Sequence, residues 1–144
     1  MKSFAMTTTE KILFTKGIRP TVMRLKIYKY LKRKTYAASL NEMLKVFIKK
    51  SESNKTANKT TFYRTMKLFE EKNIVHQIDD GTAVVKYALS DENISDLHMH
   101  FHCTNCGETI CLPNKISEES LPDDYEVSDV NVVLKGICEK CRGK

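Results

Sequence analysis

Histidine is scarce in this chain of 144 residues. There are four, and three of them fall within "HMHFHCTNCG" (98–107), beside two of the five cysteines. Long apolar runs are missing. No window approaches 18 uncharged apolar residues, which excludes a membrane-spanning helix. The first residues, "MKSFAMTTTEKILFTKG", scatter their apolar side chains too widely for a signal-peptide core, so a cytoplasmic protein is expected. Cytosolic thiols stay reduced, and clustered ones more often hold metal than form disulfides. No H-E-x-x-H motif, phosphate loop or nucleophile elbow occurs, so the commonest signatures of an enzyme are absent. Internal repeats and low-complexity tracts are absent too. An apolar fraction of 41% suits one ordinary domain or two small ones.

Acidic residues are rare in the first half. Residues 1–75 hold 18 Lys and Arg against 5 Asp and Glu, a balance of +13; residues 76–144 hold 6 against 13, a balance of −7. Such a split predicts two halves with different partners. The basic half is suited to a polyanion, where each neutralised phosphate releases counterions. A solvated lysine-rich surface would account for the charge alone, so the elements must decide.

The basic half reads as helices. Thr7 and Glu10 are spaced as a capping box. Gly17 and Pro20 break the chain, and Thr21 can cap "VMRLKIYKYLKR", where Met23, Ile27, Tyr30 and Leu31 share a stripe. Ser39 and Glu42 form a second capping box before an apolar face of Met43, Leu44, Phe47 and Ile48. "SESNKTANKT" reads as a loop ending at Asn58, the expected N-cap of the next helix. That helix buries Phe62, Met66 and Phe69, joined by Leu68, and exposes Lys59, Tyr63, Arg64 and Lys67. "IVHQI" and "AVVKYAL" flank "DDGT", a hairpin signal. Helices followed by a hairpin predict a winged helix, with the Asn58 helix in the DNA major groove. There Arg64 would read a base edge and Tyr63 a thymine methyl.

The acidic half reads mainly as strands: "HMHFHC", "ETICL" and "VNVVLKGIC", with a helical turn in "NKISEESL". The expected fold class is α+β. A winged-helix DNA-binding domain over 1–89 precedes an α/β metal-binding dimerisation domain over 90–144, joined through the polar segment 89–96.

Two C-x2-C pairs, Cys103/Cys106 and Cys138/Cys141, supply the four thiolates that a closed tetrahedral Zn²⁺ site takes. Gly107 suits the turn after the first pair. His98, His100 and His102 alternate along one strand and so share a face, whereas Cys103 points to the other. A second ion could be held there without competing for the first. His76, in the wing, could join it and tie the two halves together, so that metal favours one interdomain geometry.

Three motifs resemble the ferric uptake regulator (Fur) family of bacterial metalloregulators, in order along almost the whole chain. They are "KGIRPTVMRLKIYKYL", "TTFYRTMKLFEEKNIVHQI", and "HMHFHCTNCG" with "GICEKC". The resemblance implies a homodimer paired through its C-terminal halves. Its winged helices would read a palindromic A·T-rich operator when metal closes the dimer, commonly repressing metal-uptake genes. It implies structural zinc on Cys103, Cys106, Cys138 and Cys141, and base contacts from Tyr63 and Arg64; Lys59, with the other helix lysines, is expected to supply phosphate affinity, and Thr61 is a further DNA-binding candidate. Arg19 matches a residue that approaches the minor groove. His98 and His100 match the family's regulatory ligand pair. The family's usual histidine before the third helix is missing near Tyr36–Ala37, and its carboxylate after the second cysteine is here Cys111. A ligand in the first wing strand occurs in the zinc-sensing branch, and His76 stands there. The expected regulatory set is therefore His76, His98, His100 and Cys111, with His102, Asp91 and Asp96 as further candidates. Three imidazoles and a thiolate favour Zn²⁺ over Fe²⁺. Iron or peroxide sensing within the family is the alternative. A zinc hydrolase, with Glu108 near the cluster as its base, is the alternative of another class.

Overall fold

The computed structural model describes residues 6–48, 55–90, 97–128 and 130–143. Asp91 and Asp96, and most of the expected joint between halves, lie outside them. The architecture is α+β, with two three-stranded sheets.

Among the described residues, four helices build the first half: α1 (Thr8–Thr15), α2 (Val22–Arg33), α3 (Leu40–Phe47) and α4 (Lys55–Glu71). Thr7, Thr21 and Ser39 each accept a backbone N–H of the first turn through the side-chain oxygen, as the sequence predicts. Helix α1 ends in a Schellman motif. Gly17 adopts φ 75°, the Ile18 amide donates to the Leu13 carbonyl and the Gly17 amide to Phe14. Asn73 (φ 59°) closes α4 the same way, with Ile74 donating to Phe69.

Helix α4 starts at Lys55, ahead of the expected cap, so Asn58 is a residue of the helix rather than its N-cap. The apolar stripe that marks this helix in the sequence begins only after its first turn. The stripe itself is as expected: Phe62, Met66 and Phe69 are buried with Ile27, Leu31, Met43 and Leu13. Tyr28, left out of the predicted α2 stripe, is buried there too.

The wing strands are β2 (Val75–Ile78) and β3 (Lys86–Leu89). Strand β3 is shorter than "AVVKYAL" predicts, because Val84 and Val85 stay exposed before it. A two-residue strand, β1 (Ala38–Ser39), pairs with β3 and makes the sheet order β1-β3-β2. Nothing in its sequence announces it.

The second sheet has β4 (His98–Cys103) between β5 (Thr109–Lys115) and β6 (Val132–Gly136), antiparallel to the first and parallel to the second. Strand β5 outruns "ETICL". It absorbs Asn114 and Lys115 from the expected helical segment, whose helical part is a single 3-10 turn, Glu118–Ser120. A short helix, α5 (Glu139–Arg142), follows β6.

Among the described residues, Cys103 is the one buried apolar residue beyond Tyr87. The second sheet therefore lacks an oily core of its own within one chain.

Candidate metal centres and nucleic-acid face

Side chains at His98, His100 and His102 emerge on one face of β4. Cross-strand pairing places Cys111 opposite His100 and Thr109 opposite His102, on that same face. Between His98 and His100 the β4–β5 register shifts: His98 faces Lys115 and His100 faces Cys111. The additional β5 residues include Pro113, which lacks an amide to donate and suits a bulge. The His98 and His100 rings lie 4.6 Å apart. The wing covers this face and brings His76 onto it from β2.

Donor atoms of His76, His98, His100 and Cys111 all lie within 4.8 Å of one another. His76 Nε2 is 3.3 Å from His100 Nε2 and 3.5 Å from Cys111 Sγ. A tetrahedral Zn²⁺ needs ligand–ligand edges of roughly 3.3–3.4 Å between nitrogens and roughly 3.5–3.6 Å between nitrogen and sulfur, from its ordinary bond lengths. The residues fit such an ion. Burial, then the charge of His98, lowers the His100 pKa to about 4, so its imidazole is neutral at pH 7. Burial pushes the Cys111 thiol up to about 11. Ser90 Oγ lies 3.4 Å from His76 Nδ1, while the buried Nδ1 atoms of His98 and His100 have no partner among the described residues. Polar nitrogens buried without partners are costly, which suits ligands assembled for an ion rather than for each other.

The other cluster unites Cys103, Cys106, Cys138 and Cys141. Cys103 Sγ lies 3.8 Å from Cys141 Sγ, and Cys106 Sγ lies 3.9 Å from Cys138 Sγ. Sulfur–sulfur edges around zinc are roughly 3.8 Å. Cys103 ends β4, Cys106 closes the turn before Gly107 (φ 82°), and Cys138 and Cys141 belong to the start and body of α5. The amides of Cys106 and then Cys138 point at Cys103 Sγ and lower its pKa to about 6. The turn geometry thus favours a thiolate at Cys103; at Cys106 the Glu108 amide acts the same way, but burial and the neighbouring cysteines outweigh it and push that thiol up to about 11.

His102, a further candidate, joins neither cluster. Its Nδ1 lies 2.9 Å from Thr109 Oγ1 and 3.4 Å from Asp80 Oδ2. Asp80 is fully buried and also meets Lys86 Nζ at 2.8 Å. Burial alone would raise its pKa. Hydrogen bonds from Lys86, Thr109 and Thr82 overcome that and hold it below the usual carboxylate range. The sequence marks Asp80 only as half of a turn dipeptide, and no spacing rule foretells its burial against a second sheet.

On α4, Lys59, Thr61, Tyr63, Arg64 and Lys67 are exposed on the side away from Phe62, Met66 and Phe69. Arg19 is exposed just before α2, where its carbonyl accepts from Arg24 Nη1 at 2.7 Å. A cationic face with one exposed aromatic ring can meet phosphates and base edges together.

The Ferric uptake regulator family pattern matches residues 15–135. The chain is 31% identical over 143 residues to the ferric uptake regulation protein of Campylobacter upsaliensis, covering 94% of this chain and 87% of that protein. It is 23% identical over 133 residues to the peroxide-responsive repressor PerR of Staphylococcus aureus (strain Mu50 / ATCC 700699), covering 89% and 85%. In fold it is similar to a zinc uptake regulator complexed with zinc and DNA, with a TM-score of 0.67 and 18% identity over 96% of this chain and 97% of that one. With a winged helix on one side, a sheet carrying a four-cysteine cluster on the other and a match through both, the chain belongs to the ferric uptake regulator family, whose members are metal-responsive transcriptional regulators.

Proposed function

We propose that this chain is a homodimeric repressor that binds a palindromic A·T-rich operator in the cytoplasm when Zn²⁺ is plentiful, and so controls metal-uptake genes. In this reading residues 1–89 bind DNA and residues 90–144 dimerise and hold metal. The single observation that carries it is the division of the His76, His98, His100 and Cys111 set between wing and second sheet. A bound cation would supply the cross-link that makes one interdomain pose the lowest in energy. Cys103, Cys106, Cys138 and Cys141 would hold a structural zinc. His76 travels with the winged helix, so the position of α4 follows the closure of this set. Arg64 and Tyr63 then meet base edges, Thr61 and Lys59 the phosphates, and Arg19 the minor groove.

The donor set supports zinc. Three imidazoles and one thiolate, with the two edges at His76 of tetrahedral length, suit Zn²⁺ better than Fe²⁺, which favours more oxygen donors and higher coordination. The zinc uptake regulator solved with zinc and DNA supports the same choice. Iron or peroxide sensing is the second reading, favoured by identity to iron-uptake and peroxide-responsive relatives. A hydrolase would need an open coordination position, whereas this set offers one ion four protein donors.

The test is operator binding by gel shift with the four-sulfur ion retained. Zn²⁺ should restore binding after removal of the labile ion, and His98→Ala should abolish the response. Activation by Fe²⁺ with Zn²⁺ inert would overturn the choice of metal. Equal operator affinity with and without the labile ion would overturn the regulator reading.

A further inference from the structure

Among the described residues, the wing meets the second sheet at two places. One is the divided His–Cys set. The other lies four residues further along from His76, about 13 Å away at ordinary strand rise. There Asp80 is fully buried, with Oδ1 accepting from the Thr82 amide (3.0 Å) and hydroxyl (2.5 Å). Its Oδ2 accepts from Thr109 Oγ1 at 2.6 Å and from Lys86 Nζ at 2.8 Å. Lys86 Nζ donates as well to the Gly107 carbonyl at 2.6 Å and to Thr109 Oγ1 at 3.0 Å. Thr109 has one hydroxyl proton, which goes to Asp80. Its oxygen must then accept from Lys86 and from His102 Nδ1, so His102 carries its proton on Nδ1. Thr82, Asp80 and Lys86 belong to the wing; Thr109, Gly107 and His102 belong to the second sheet.

Two further bonds flank this network, one between backbone groups and one from a side chain to a backbone carbonyl. The Ala37 amide donates to the Thr109 carbonyl at 2.7 Å, and Asn131 Nδ2 donates to the Asp79 carbonyl at 3.0 Å. None of these groups belongs to either candidate ion site. Both carboxylate oxygens of Asp80 are engaged, and separating wing from sheet would break the Thr109–Asp80, Lys86–Thr109 and Lys86–Gly107 bonds, leaving Asp80 with only Thr82 and Lys86 inside the wing.

We propose that Asp80, Lys86, Thr109 and His102 form an ion-independent latch that holds the wing on the second sheet and prearranges the divided ligand set. A site split between two bodies binds in proportion to the fraction of time those bodies are docked. One attachment point leaves a pivot; a second, several residues away, fixes the angle. The latch supplies the second point in the absence of the labile ion and raises the docked fraction, and closure of the ligand set then makes the docked pose the dominant one. The last step rests on the proposed regulatory site; the latch itself does not.

The test compares Thr109→Val, which keeps shape and removes the hydroxyl, with Thr109→Ser, which keeps the hydroxyl. Asp80→Asn serves as a second lesion. Amide exchange at Ala37 is measured after removal of any labile ion, and affinity for a second Zn²⁺ per chain is measured by chelator competition. Thr109→Val should exchange Ala37 about tenfold faster and bind the second Zn²⁺ about tenfold more weakly. Thr109→Ser should match the parent in both, and the four-sulfur ion should stay at full occupancy throughout. Parent-like exchange and parent-like affinity in both Thr109→Val and Asp80→Asn would overturn the latch. If the parent takes up only one Zn²⁺ per chain, the regulatory-site reading fails. The latch is then judged by Ala37 alone: faster exchange in Thr109→Val than in Thr109→Ser supports it, and equal rates overturn it.

Discussion

Cys141→Ser should unfold the second sheet and spare the winged helix. Cys106 and Cys138 are 32 residues apart, and Cys103 and Cys141 are 38 apart. A cross-link closing a loop of that size removes about 4 kcal/mol of freedom from the denatured chain. The sheet it holds has little else. Among the described residues, Cys103 is its one buried apolar side chain, while Leu134 and Ile137 remain exposed in the single chain. A unit well below 70 residues draws only about 3–5 kcal/mol from its core even when that core is well formed. Losing the cross-link therefore consumes the whole margin. The first half keeps Leu13, Ile27, Phe62, Met66 and Phe69, all buried together and none reliant on sulfur. Amide exchange with parallel metal analysis reads both halves at once. Thr104, which donates to the Gly136 carbonyl, should lose protection, while Ile18 and Ile74 at the two helix ends keep theirs. A Cys141→Ser protein without this ion, yet with Thr104 as protected as in the parent at equal protein concentration, would refute the reasoning.

Three further outcomes are expected. Arg64→Ala should cost about 1–3 kcal/mol on operator DNA and much less on random DNA, whereas Lys59→Ala should weaken both and reduce the salt slope by about one; fluorescence anisotropy over a salt series separates them. Because burial raises the Cys111 thiol to about 11, uptake of the second ion at pH 7 should release about one proton, and calorimetry in buffers of different ionisation enthalpy should lose that proton in Cys111→Ser. His100 is neutral when buried, its pKa depressed from 6.5 to about 4, so the unfolded chain binds the extra proton. Its contribution to stability is complete above about 6.5 and is lost as pH falls toward 4. The melting temperature of ion-stripped protein should drop over that window, and His100→Gln should flatten the drop.

Local chemistry determined a good deal of this protein. Caps at Thr7, Thr21 and Ser39 depend on a side-chain oxygen and the first helical amides, all within a few residues, and the sequence displays them. The α4 stripe and its exposed cationic face follow from helical period alone. The two C-x2-C pairs identify themselves because ligand type and spacing are the chemistry. Element edges were less legible. Lys55 begins α4 without an apolar signal, and β1 exists only because β3 passes beside it.

What the tertiary structure decided is which distant groups meet. His76 reaches His100 and Cys111 because the wing lies on one face of the second sheet, a register that no local pattern carries. Asp80 reads in the sequence as a turn residue and becomes a fully buried anion only when Thr109 and His102 arrive from another sheet. Covalent neighbours set periodicity and capping over a few ångströms; burial and charge pairing depend on the whole folded surface, and these decided how the two halves are joined.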